Sequence, residues 1–314
     1  MIQNPNLDKS YLTNIGNEIT LNSSKLILDH KLVIPKGYIF KVYPGTTIDL
    51  INDASILSYS PIEMIGNKEN QIVIKSSDKT GQGLLIINSE RESKLDYVLF
   101  KDLTNPKDFG WEIPGAITFY ESNVLINNTI FDTNYSEDFL NTIRSEFQIL
   151  NTSIINSQSD AFDSDFSNGE VLNCKFSNIG NDAIDCSGSN LKIKNIVINQ
   201  VEDKAISGGE NSVISGNLID IDNVEIGITS KDLSKLSFQN ININNSKVAF
   251  CAFQKKPEYG PASIISHKIN LNNIDVPYLV EEKSKVFVDD IEMDITPGIV
   301  EDMLYGIMFG KSSK

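Results

Sequence analysis

Asp160-Ala161-Phe162-Asp163 returns as Asp182-Ala183-Ile184-Asp185 and again as Lys204-Ala205-Ile206-Ser207, each 22 residues after the last. Working outward, Phe139-Leu140-Asn141 stands one period earlier than Ala161-Phe162-Asp163. Gly227-Ile228-Thr229 and Ala249-Phe250-Cys251 continue the series, and Ala116-Ile117-Thr118 precedes it by 23 residues. A fixed period of this length, built of strand-like pieces, specifies a solenoid. Residues distant in sequence then stand in columns on one face.

Two further columns share the period. Asn134, Asn156, Asn178, Gln200, Asp222 and Asn244 lie five residues before the triplets, and Asn128, Asn151, Asn173, Asn195, Asn217 and Gln239 lie between them. Stacked amides bond from coil to coil while satisfying turn backbone. Leu191-Lys192-Ile193 and Ile196-Val197-Ile198 alternate as the other strands of a coil. The expected fold is an all-β, single right-handed parallel β-helix of about ten rungs over residues 1–295, that hand being the rule for parallel crossovers. Phe162, Ile184, Ile206, Ile228 and Phe250 should form one buried stack.

Thr296-Pro297 followed by Ile299, Val300, Met303, Leu304, Ile307 and Met308 predicts an N-capped amphipathic helix within 296–314. A solenoid needs its open end covered, and capping is the role expected of this helix. Two insertions interrupt the period: Thr104–Gly115, carrying Phe109 and Trp111, and Gln254–Ser263, carrying Lys255, Lys256 and Tyr259. Loops of this kind gather on one face of a solenoid. Both are expected to bracket the face carrying Asp160 and Asp182.

Bulk composition narrows the function. The net charge of -15 and pI near 4.6 argue against nucleic acid, which requires a basic face, and against an anionic membrane surface. No stretch is long enough to span a bilayer. Met1 to Gly16 is polar and lacks an apolar signal core, so the chain is read as cytoplasmic or as a domain separated from its export signal. Cys174, Cys186 and Cys251 show no disulfide or metal spacing and read as buried hydrophobes. His30 and His267 lack matching partners and are assigned no role.

Parallel strands stand about 4.8 Å apart, so Asp160, Asp163, Asp182 and Asp185 form a carboxylate cluster with Lys204 next in the column. Like charges this close raise one another's pKa unless a cation intervenes. Lys204 is one such cation, and a Ca²⁺ held by the four carboxylates is another. Two carboxyls, one protonated, hydrolyse a glycosidic bond. A metal that neutralises a uronate beside a lysine of lowered pKa supports lyase or epimerase chemistry. Arg144, Glu210, Lys231 and Asp232 are placed to line the same trough, and Trp111, Lys255 and Tyr259 to contact substrate from the loops. Carboxylates at β-helix turns also bond backbone N–H groups, so a structural role stands beside the catalytic one. A polysaccharide-acting enzyme and a noncatalytic cell-surface or carbohydrate-binding module are the two functional readings.

The register, the amide ladders and Pro44-Gly45-Thr46-Thr47 resemble the pectin-lyase-like superfamily of right-handed β-helices. Ser159-Asp160-Ala161-Phe162-Asp163, Asn181-Asp182-Ala183-Ile184-Asp185 and Asp203-Lys204-Ala205-Ile206-Ser207 are similar to the successive-rung motifs of polygalacturonase-type hydrolases. Asp160 and Asp182 match two catalytic carboxylates of that family. Asn181 stands where it has a third, and Lys204 where it has histidine. Ser230-Lys231-Asp232-Leu233-Ser234, Gln254 to Pro261 and Leu304-Tyr305-Gly306 resemble bacterial β-helix domains that accompany CotH-type modules. That resemblance implies a surface context and a CotH-type partner.

Overall fold

A computed structural model describes residues 10–306. Parallel pairs fall into three ladders that wind about one core. Sheet A begins with Glu18–Leu21, Ile39–Val42 and Ile62–Ile65; sheet B with Lys25–Leu28, Thr47–Leu50 and Ile72–Lys75; sheet C with Leu32–Ile34, Ile56–Ser58 and Leu84–Ile87. From Asn190 onward, one long bent strand crosses all three sheets in each coil: Asn190–Gly209, Val213–Lys231, Lys235–Phe253 and Ser263–Val280. Sheet A counts twelve strands, so the solenoid has about twelve turns, two more than the repeat suggested. Antiparallel hairpins, Leu12–Ile15 with Glu18–Leu21 and Lys285–Val288 with Ile291–Glu292, end the ladder.

The expected core stack is present. Leu140, Phe162, Ile184, Ile206, Ile228 and Phe250 pair rung over rung and are fully buried. All three cysteines are free and buried.

The corners explain the amides. Asn151, Asn173 and Asn195 at the A/B corner, and Asn156, Asn178 and Gln200 at the B/C corner, all have φ between 48° and 58°. Asparagine adopts this left-handed conformation more readily than most residues. Its side chain bonds the rung below: Asn173 Nδ2 donates to Asn151 Oδ1 at 3.2 Å, and Asn178 Nδ2 to Asn156 Oδ1 at 2.8 Å. A strict 22-residue spacing misplaces the ends of both columns. Asn190 pairs with Val213, 23 residues on, and the extra residue is absorbed by a register shift between Val201 and Lys204. The corners therefore pass to Leu218 and Asn240, and to Asn223 and Asn245. Asn217, Gln239, Asp222 and Asn244 sit one residue before them. Asn134 is likewise off the corner: it is buried and accepts from Ser157 Oγ at 2.8 Å, while Thr133 takes the positive φ.

The C-terminal helix α1 spans Val300–Tyr305; Ile307 and Met308 lie outside the described residues. It shields apolar surface, and that surface is the outer flank of sheet C. Val300 and Leu304 pack on Ile226, Val248, Cys251, Phe253 and Leu279. Ile299 holds the N-cap position without a side-chain bond. Thr296 instead extends the edge of the solenoid, its N–H donating to Val280 O at 2.8 Å and its Oγ1 accepting from Val280 N at 2.9 Å.

Candidate active site on the outer face of sheet C

Sheet C carries the carboxylates because its strands break simple alternation. Phe139, Ala161, Ala183 and Ala205 turn inward at the corner, followed directly by the inward Leu140, Phe162, Ile184 and Ile206. The residues on either side of each inward pair face out. One outer column is Asp138, Asp160, Asp182, Lys204; the next is Asn141, Asp163, Asp185, Ser207; a third holds Asp165, Ser187, Gly209 and Lys231. The predicted Asp160, Asp163, Asp182, Asp185 and Lys204 thus share one strip, joined by Lys231 from the trough residues. Asp138, Asp165 and Asp203 belong to it as well. Asp165 was legible as the next alternating position after Asp163.

Each carboxylate is differently engaged. Asp160 Oδ1 accepts from Asn181 Nδ2 at 2.6 Å and from Asp182 N at 2.8 Å. Asp182 Oδ1 accepts from Lys204 N at 3.0 Å and faces Lys204 Nζ at 3.3 Å. Lys204 Nζ also donates to Asp203 Oδ2 at 2.6 Å. Lys231 Nζ stands 3.9 Å from Asp185 Oδ1. Asn141 Nδ2 donates to Asp138 at 2.7 Å and reaches Asp163 at 3.4 Å.

These surroundings split the acidities. Burial, then the Asp182 and Asp185 charges, pushes Asp160 up to about 8. Burial raises Asp138 to about 7 and Asp165 to about 6. Asp163 is held well above the carboxylate range by burial and by the surrounding Asp138, Asp165 and Asp185. Burial lifts Asp182 to about 6 against the opposing pull of Lys204. At Asp185, burial is outweighed by Lys231 and Lys204, and the carboxyl is driven below its ordinary value. Lys204 and Lys231 are both raised, since the facing aspartates outweigh burial. The strip therefore sets carboxyls of raised pKa beside one of lowered pKa. Among the described residues no group of three or more His, Cys, Asp or Glu side chains converges as a metal site.

The remaining predicted residues lie around the strip. Arg144, Glu210 and Asp232 occupy the corner where sheet C turns into sheet A, with φ of 49°, 57° and 53°. Arg144 is exposed, donates to Tyr120 Oη at 2.8 Å and faces Glu121 at 3.6 Å. Glu210 pairs with Lys256. Asp232 is buried and clamps the second loop, accepting from Lys255 N and Lys256 N at 2.7 Å each. Lys255 Nζ lies 5.1 Å from the Tyr305 ring centroid. Its pKa is lowered by burial and by Lys231 and Lys204. The first loop is a hairpin, Lys107–Asp108 with Trp111–Glu112. Trp111 is 38 % exposed and carries Lys31 Nζ 5.3 Å from its centroid. Tyr259 is half-buried, its N–H donating to Lys256 O at 3.1 Å. The hairpin enters sheet C and the second loop leaves it, on opposite flanks. His30, read as lacking partners, has two: Tyr11 Oη at 2.9 Å and Asp29 Oδ1 at 2.8 Å.

Two groups escaped the sequence reading. Tyr305 is placed by α1 within reach of the charges of Lys204 and Lys231. That depends on where the helix docks, which no local pattern encodes. Phe166 stands at the same corner as Arg144 and is 53 % exposed. No repeating aromatic marks it.

No family model matches the chain, and no curated protein is similar to it. The resemblance to domains accompanying CotH-type modules finds no counterpart in those comparisons. Solved structures do match. The periplasmic alginate epimerase AlgG is 11 % identical over 90 % of this chain and 80 % of its own, with a TM-score of 0.56. A mutant of AlgG is 12 % identical over the same shares, with a TM-score of 0.57. An alginate lyase from Paenibacillus sp. str. FPU-7 is 11 % identical over 82 % of this chain and 98 % of its own, with a TM-score of 0.45. The likeness to AlgG shows that the chain shares its fold, the right-handed parallel β-helix.

Proposed function

We propose that this protein acts on a polysaccharide, and that the strip on sheet C breaks glycosidic bonds by acid–base catalysis. One observation carries the reading: Asp163, its carboxyl held well above the ordinary range by burial and acidic neighbours, and Asp185, drawn below it by Lys231 and Lys204, are paired residues on adjacent strands. Two carboxyls pushed apart in acidity by their surroundings are what glycoside hydrolysis requires. Asp163 gives its proton to the departing glycosidic oxygen. Asp185 meets the positive charge that develops at the anomeric carbon, and a water then adds to that carbon, giving its proton back to the Asp163 carboxylate. Asp160 and Asp182 spend an oxygen each on backbone N–H groups of the next rung, and they frame the pair. Lys204 and Lys231 stay protonated, which suits charge stabilisation and not proton abstraction. The fold shared with an enzyme that acts on alginate supports the class of substrate.

The test is a panel of neutral and uronate polysaccharides, each with and without a chelator, read by reducing ends and by product analysis. The expected result is cleavage that falls about 100-fold or more in Asp163→Asn and Asp185→Asn. Loss of cleavage on chelation would assign a bridging Ca²⁺ to the strip. The structural bonds of Asp160 and Asp182 favour the second reading, a noncatalytic carbohydrate-binding or surface module. Absence of cleavage, epimerisation and chelator response across the panel would decide for it.

A further inference from the structure

The corner where sheet C turns into sheet A repeats once per coil. Its occupants are Glu121, Arg144, Phe166, Gly188, Glu210 and Asp232, all at positive φ. Five are polar or glycine, residue types suited to a left-handed corner. Phe166 is the exception: a bulky aromatic at φ 50° and 53 % exposed. Neither the corner nor the core calls for it. Its backbone is fixed, since Phe166 N–H donates to Ser187 O at 2.8 Å. A Cβ added at Gly188 would stand 2.6 Å from Phe166 Cδ1 and 2.8 Å from Cε1. The ring therefore lies across the Gly188 backbone, and only a glycine admits it. The Cδ1–Cε1 edge is the part of the ring nearest Gly188, and about half of the residue meets solvent.

The neighbours give the exposed ring a purpose. Asp165 immediately precedes it, and Asp163 and Asp185 lie on the same strip. Arg144, whose N–H donates to Asp165 O at 2.9 Å, occupies the corner one rung before. We infer that Phe166 is a stacking platform for a neutral pyranose ring, holding a glycan over the edge of the carboxylate strip. This rests on the polysaccharide reading above. The apolar C–H face of a pyranose packs on an aromatic face, while polar groups beside it fix the hydroxyls. Arg144 and Glu210 flank the platform as donor and acceptor. A polyuronate fits less well beside seven aspartates on a chain of net charge -15.

The test uses the full chain, with binding measured by affinity electrophoresis and calorimetry against neutral α- and β-glucans, mannan, xylan and polyuronates. Phe166→Gly removes the ring and relieves the positive φ together. The expected result is affinity for the bound neutral glycan weakened about three- to tenfold, with an unchanged or higher melting temperature, and recovery in Phe166→Trp. A lower melting temperature with unchanged binding would make Phe166 a packing residue and overturn the inference. Wild-type binding that Phe166→Gly leaves intact would overturn the platform alone, as would binding confined to polyuronates. A wild type that binds no glycan would overturn the platform and the polysaccharide reading together.

Discussion

The outer face of sheet C has two halves that solve one problem in opposite ways. From Asp138 to Ser187 the face reaches solvent in part: Asp160, Asp163, Asp165 and Asp185 are half-buried, with Asp138, Asn141 and Asp182 buried among them. From Lys204 onward it is covered. Lys204, Ser207 and Thr229 are buried, and the columns continue as Ile226, Val248, Cys251 and Phe253 beneath α1. In the open half the cost of crowding carboxylates is met by protonation, seen in Asp160 at about 8 and Asp138 at about 7. In the covered half it is met by ion pairing, with Lys204 between Asp182 and Asp203. Backbone and period are the same in both. What differs is the occupant of each column and what lies over it, so chemistry on a solenoid is set column by column.

The largest effect should come from the seam between the halves. Lys204→Met removes the cation that Asp182 and Asp203 share inside the protein. Breaking a buried pair from one side costs about 3–5 kcal/mol, read as a lower denaturant midpoint at neutral pH. The deficit should shrink in acid, as protonation discharges Asp182. A small, pH-independent loss would show that the two halves are not coupled through this lysine.

The open half makes a prediction of opposite sign to ordinary acid denaturation. Asp138 and Asp160 have folded pKa values near 7 and 8, above the ordinary carboxylate value of 3.8. Between those limits the folded state binds more protons than the unfolded chain. Stability from these groups is therefore full below about pH 4 and lost as pH rises through their folded values. The melting temperature should fall from about pH 5 to about pH 8. Asp160→Asn should flatten that slope and stabilise the protein at pH 8 by at least about 1 kcal/mol. A slope unchanged by this substitution would mean that Asp160 is ionised in the fold.

Much of this was legible in the sequence, for a physical reason. The stack of Phe162, Ile184, Ile206, Ile228 and Phe250 and the strip of Asp160, Asp163, Asp182 and Asp185 follow from the period, because parallel pairing stacks equivalent positions in columns even where two successive residues turn inward. The register slip was not, because one extra residue near Asn211 is paid out at a corner, where backbone bends without breaking the ladder. Asp222 and Asn244 therefore keep a place in the amide ladder, accepting from Asn245 Nδ2 at 2.7 Å and Asn272 Nδ2 at 2.9 Å, while Asn223 and Asn245 hold the corner. The acidities were half legible: close carboxylates were expected to repel, but Lys231, with Lys204 behind it, is what separates Asp185 from Asp163. Phe166 and Tyr305 depend on single tertiary placements and left no periodic trace.

The smallest predicted effect on stability sharpens the comparison most directly. Cys251 is in an outward column of sheet C yet fully buried, because Leu304 and Val300 lie over it. Cys174 and Cys186 belong to the inner core cluster. Burial pushes all three thiols up, so exposure and not ionisation controls their labelling. Leu304→Ala loosens a six-residue helix that can detach without unwinding the coils, so the loss should be at most about 2 kcal/mol. Under native conditions the wild type should resist a thiol reagent, and Leu304→Ala should let one thiol react, identified by peptide mapping as Cys251. Labelling of Cys174 or Cys186 at the same rate would mean that the coils themselves open. No labelling at all would mean that the covered half owes its burial to more than α1.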